Sequence, residues 1–194
     1  AEEAAAHVLA LLDDIPSPAQ VWMPAWEGGH QDHDAAHLVG LHVAASLSRE
    51  AWQFPLYNGW KLRGPWFRVL KPLPANGGGV ALRVAVAERV HCIVRCLQYR
   101  SQWRSFIGLL PFYALSMLRR EPFTMQRCAA DRVGSRPHDG SLLYERRNGP
   151  SWSDFLDATA AIRGKVDSRD HRSSESSQNG CQLVGSNNMS SGRS

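Results

Sequence analysis

The sequence predicts an α/β fold on three observations. A strand, a Gly-Gly turn and a helix follow one another between residues 20 and 48. A second apolar series at helical spacing runs from Leu82 through Val86, Val90 and Ile93 to Leu97. The chain of 194 residues is 43% hydrophobic, enough to bury a core.

The elements follow in order. "AEEAAAHVLALL" (residues 1–12) reads as a helix with Glu2 and Glu3 in its first turn, where the macrodipole favours acids. Pro16 and Pro18 of "DDIPSP" stop it. "AQVWMPAW" holds a short buried strand from Gln20 to Met23, and the Gly28-Gly29 turn follows. From Asp32 to Ser48 the pattern is helical, with Leu38, Leu41 and Ala45 on one face. Folds of this class keep their chemistry at the C-terminal ends of such strands. "WQFPLYNGW" predicts a second strand, Gln53 to Tyr57, ended by the Asn58-Gly59 turn.

The next stretch, "GPWFRVLKPLPANGGG", is loop with a short strand at Phe67 to Leu70. An amphipathic helix then spans Leu82 to Leu97, and another spans Ser101 to Leu118, kinked or broken at Pro111. Residues 121–149 read as irregular. Ser151 caps a last helix, "SWSDFLDATAAIR", with Asp154 in the capping-box position. Beyond Gly164 the chain is Ser, Asn, Gly and charge. The expected organisation is therefore one domain over residues 1–164 and a disordered tail over 165–194.

Charge and cysteine content narrow the class. The net charge is +4, but the only lysines are Lys61, Lys71 and Lys165, and the arginines are scattered, which argues against a nucleic-acid stripe. The four cysteines make no disulfide framework: Cys92 and Cys96 lie one helical turn apart, and Cys128 and Cys181 are isolated. His91, Cys92 and Cys96 are weighed as zinc ligands against apolar groove residues, and the second reading is preferred. Reduced thiols fit a cytoplasmic protein. No signal peptide is read, and "FIGLLPFYALSML" (Phe106 to Leu118) is too short to span a bilayer. Arg104, Arg119 and Arg120 at its ends would suit an interfacial helix, although a buried helix is the preferred reading. A chain beginning at Ala1 reads as processed or as a fragment.

The chemistry concentrates in "EGGHQDHDAAH", residues 27–37. His33 and His37 have the i, i+4 spacing of a metalloprotease helix, but Asp34 stands where a Glu is needed to reach a metal-bound water. The alternative grouping is His30 in the loop, Asp32 at the helix start and His33 in the first turn, with Asp32 able to orient an imidazole. His37 and His42 are expected to be packed core histidines.

"PAWEGGHQDHDAAH" resembles the His-x-Asp-His motif of the PIG-L/LmbE-type zinc-dependent N-deacetylases. "FPLYNGW", "YRSQW" (Tyr99 to Trp103) and "RPHDGSLLYER" resemble, in order, later stretches of bacterial members. The resemblance implies a partial Rossmann-like, three-layer fold with a mainly parallel sheet whose N-terminal strands are missing. It implies hydrolysis of an acetamide on an N-acetylglucosamine-type sugar or conjugate, with zinc as cofactor. His33 would be a zinc ligand, His30 would stabilise the oxyanion or protonate the leaving amine, and Asp32 would orient a histidine. A homo-oligomer is also compatible with the family.

The family's other two zinc ligands and its general base come from an upstream His-Pro-Asp-Asp motif that this sequence does not contain. A catalytic zinc needs about three protein ligands, so the chain alone is expected to be an inactive C-terminal part of such an enzyme. The alternative of another class is a non-catalytic binding remnant. It would recognise carbohydrate or anionic surfaces through arginines and through Trp22, Trp26, Trp52, Trp60, Trp66 and Trp103.

Overall fold

The computed structural model describes residues 2–12, 19–64, 66–98, 103–119 and 122–166. The fold is mixed α/β. Strand β1 (Val21–Pro24) leads through helix α2 (Gln31–Ser46) to the parallel strand β2 (Ala51–Phe54), with Val21 opposite Ala51 and Pro24 opposite Phe54. Helix α1 (Glu2–Leu12) packs on α2.

Pro55 ends β2, so the single strand expected from Gln53 to Tyr57 is two. Its second part, β3 (Tyr57–Asn58), pairs with β4 (Arg68–Val69) in a small antiparallel sheet.

Leu82 does not start a helix: it ends strand β5 (Gly79–Leu82), opposite Phe123 of strand β6 (Phe123–Arg127). The helix, α3, runs Val86–Gln98, and Leu82 matched its period only by spacing. Residues 121–149 are not irregular throughout, because β6 lies within them. The main sheet has the order β1-β2-β6-β5, with β6 antiparallel to both neighbours. It is therefore mixed and not mainly parallel.

Buried glutamines explain why β6 escapes a hydrophobic pattern. Gln126 donates to the Leu73 and Gly77 carbonyls. Its cross-strand neighbour Gln53 accepts from Trp26 N and Asn76 Nδ2 and donates to the Arg127 carbonyl. These side chains tie loops to the sheet in place of apolar contacts.

Helix α4 (Trp103–Leu118) continues through Pro111 and packs on α3. Among the described residues no helix is long and apolar enough to cross a membrane. A short helix α5 (Leu143–Arg146) precedes helix α6, residues 152–166. The predicted cap is present: Ser151 Oγ accepts from Asp154 N at 3.2 Å, and Asp154 Oδ2 accepts from Ser151 N at 2.9 Å. This helix passes the expected domain limit at 164, and Val166 is buried in the core. The turn at 13–18, most of "YRSQW", Cys181 and the expected tail from 167 onward lie outside the described residues.

The core joins α1, α2 and α6 to the sheet through Ala5, Met23, Trp26, Leu38, Phe155 and Ile162. Leu38 is fully buried at the centre of α2. Leu38→Ala is expected to cost about 3 kcal/mol, read as a lowered urea midpoint at unchanged slope.

Candidate functional site

The turn between β1 and α2 is built by two buried carboxylates. Glu27 turns inward, where its Oε1 accepts from Leu56 N and Tyr57 N, both at 2.8 Å, and its Oε2 accepts from Asn58 Nδ2 at 3.3 Å. Asp34, in the first turn of α2, reaches back so that its Oδ1 accepts from Glu27 N and Gly28 N at 3.2 Å each. The ends of both parallel strands are thus locked to the start of the helix. Burial pushes the Glu27 carboxyl up to about 7 and the Asp34 carboxyl up to about 8, against the lowering effect of their hydrogen bonds. Asp34 Oδ2 has no hydrogen-bond partner.

This frame presents the motif histidines. His30 is the N-cap of α2, with extended backbone (φ −142°, ψ 138°), and its Nδ1 accepts from Asp32 N at 3.2 Å. An imidazole here does the work usually done by Ser, Asp or Asn. Accepting at Nδ1 places the proton of the neutral ring on Nε2. His33 lies one turn further on, with its ring centroid 5.5 Å from that of His30 and 5.3 Å from Tyr57, edge to face. Burial, followed by the proximity of His30, lowers the His33 pKa and favours the neutral ring that ligates metals. Its Nδ1 is buried without a hydrogen-bond partner.

Asp32 is largely exposed. Its Oδ2 lies 3.7 Å from His30 Nδ1, so the imidazole it stands beside is that of His30.

The structure brings His30, Asp32 and His33 together, while His37 packs in the core. His37 is fully buried, its Nδ1 is 2.8 Å from the Pro24 carbonyl, and its ring packs against Trp26. Burial lowers its pKa to about 4. This is the packed, hydrogen-bonded histidine that the sequence predicts, and its Nε2 is buried without a hydrogen-bond partner. His42 is likewise buried. Cys92 is exposed and Cys96 half-buried on α3.

The segment from 136 to 146 clasps the turn. Leu143 N donates to the Gly28 carbonyl at 2.9 Å. The Arg146 guanidinium donates to the carbonyls of Gly59, Leu62 and Ser141. Glu145 accepts from Leu142 N and pairs with Arg136. Beside this clasp a cleft of about 530 Å³ is lined by Trp60, Arg132, Ser135 and His138, among others. The sequence reading weighs Asp34 only as a short replacement for a metalloprotease Glu and does not single out Glu27. The only signal was an acid beside Gly-Gly and a second acid in the first helical turn.

Among the described residues no group of three or more His, Cys, Asp or Glu side chains is arranged to hold a metal ion. His33 offers one imidazole, which does not amount to a catalytic zinc site. Comparison with known protein families, with curated proteins and with solved structures finds no match to this chain.

Proposed function

We propose that this chain carries the His-x-Asp-His part of a zinc-dependent N-deacetylase of the PIG-L/LmbE type, with a partial Rossmann-like fold. The reaction is hydrolysis of an acetamide on an N-acetylated sugar or conjugate, giving acetate and a free amine. The observation that carries this reading is the joint placement of His30, Asp32 and His33 at the end of β1, on a turn fixed by Glu27 and Asp34.

His30 is suited to its role because its Nδ1 is held by Asp32 N, which leaves Nε2–H as the donor for a developing oxyanion or a departing amine. His33 is the metal-ligand candidate. Since it stands without two further ligands among the described residues, the reading requires a His-Pro-Asp-Asp element in addition to residues 1–194.

The test is acetate release from N-acetylglucosamine conjugates by the protein made from its natural reading frame. The expected result is chelator-sensitive activity that falls more than about 1000-fold in His33→Ala and about 100-fold in His30→Ala. Activity that is unchanged in His33→Ala, or no acetate from any such conjugate, would overturn the proposal.

One observation favours a second reading, a non-catalytic carbohydrate binder. The 530 Å³ cleft is of ligand size and sets Trp60 beside Ser135 and His138. Sugar binding that survives both chelation and His33→Ala but is lost in Trp60→Ala would favour it.

A further inference from the structure

Helix α4 carries no charged residue from Ser105 to Leu118, and a helix apolar all round belongs in an interior. Here it is covered on one side only. Ile107, Leu115 and Leu118 follow one stripe and are 59%, 50% and 64% exposed. Against this stripe opens a cavity of about 280 Å³, which shares Leu115 with it. Its apolar wall is formed by Phe67, Val69 and Phe112, with Phe67 and Phe112 in edge-to-face contact at 5.1 Å. Among the described residues its charged lining is Arg68, Lys71 and Arg119, with no carboxylate. The Arg147 guanidinium also lies over the Phe67 ring, at 5.3 Å.

We propose that this face is a docking surface for an anionic lipid bilayer, with Ile107, Leu115 and Leu118 entering the interface and the three cations meeting lipid phosphates. Exposed apolar side chains beside cations are what an anionic leaflet recognises. A second copy of the chain fits less well, because an isologous contact would set the two cationic linings of this face against each other. The inference is independent of the deacetylase reading, as it uses none of its residues.

The test is flotation of the full chain with phosphatidylcholine vesicles, with and without phosphatidylglycerol. The protein is expected to float with the anionic vesicles and not with the neutral ones. Combined Arg68→Gln, Lys71→Gln and Arg119→Gln should reduce partitioning about 100-fold, since each cation is worth roughly fivefold at such a surface. Leu118→Ser, at an exposed position, should lower binding without changing the melting curve. Arg95→Gln, an arginine of α3 outside the cavity, should leave binding unchanged. Three results overturn the proposal: no flotation, equal flotation with both vesicle types, or a lipid-free dimer that Leu118→Ser dissociates.

Discussion

Gly29→Ala is expected to destabilise the protein by about 3 kcal/mol or more, a large share of the roughly 5–15 kcal/mol that keeps an ordinary domain folded. A Cβ at this position would lie 1.9 Å from the Tyr57 carbonyl oxygen and 3.1 Å from its carbon. Both are backbone atoms of β3 and cannot swing aside as a side-chain tip would. Retreat of that strand is also blocked, because Glu27 Oε1 holds the N–H groups of Leu56 and Tyr57. The close approach of β3 to the turn sets His33 against Tyr57, so loss of stability and loss of the site should coincide.

Two other glycines calibrate the effect. Gly28 has φ +66°, and a Cβ there meets the end of the Leu142 side chain at 2.6 Å. Gly28→Ala should therefore cost about 1–2 kcal/mol. Gly108, in α4, has nothing within 4 Å, so Gly108→Ala should stabilise by up to about 1 kcal/mol. Urea unfolding of the three variants gives the order directly, and a Gly29→Ala protein as stable as the parent would contradict the packing described.

Asp34→Asn is expected to stabilise the protein by on the order of 2 kcal/mol more at pH 9 than at pH 6. The folded-state pKa values of Glu27 and Asp34, about 7 and about 8, lie above their unfolded values. The unfolded chain therefore binds fewer protons than the native state between pH 4 and 8. Their contribution is fully present below the unfolded values and is lost as pH rises through the folded ones. His33, His37 and His138 act in the opposite sense, their pKa values being lowered by burial. Their contribution is present above about 6.5 and is lost as pH falls, through about 4 for His37.

A stability maximum on the acid side of neutrality follows, with a decline from pH 6 to 9. Asn keeps an oxygen to accept from Glu27 N and Gly28 N but cannot ionise. Parent and variant curves that stay parallel from pH 6 to 9 would show that Asp34 does not titrate as described.

The sequence made the βαβ unit legible because each of its parts has a local cause. Apolar residues before Gly28-Gly29 give a strand, and the 3.6 period of Leu38 and Leu41 gives a helix. The packed role of His37 was legible from its apolar neighbours, and the cap at Ser151 from its spacing to Asp154. What stayed hidden depends on distant partners. Strand β5 is exposed along its length and is defined by its pairing with β6. Strand β6 carries Gln126, whose burial makes sense only once the Leu73 and Gly77 carbonyls are in place. Glu27 and Asp34 look like solvated acids until the fold closes over them. In the site, the grouping of His30, Asp32 and His33 was legible, while the carboxylates that hold it were not.

The proposed ligation of zinc by His33 is tested by zinc-edge X-ray absorption on the protein made from its natural reading frame. About one zinc per chain is expected, with a histidine-nitrogen shell that weakens in His33→Ala. A zinc-free protein, or a spectrum identical in the two, would contradict that ligation.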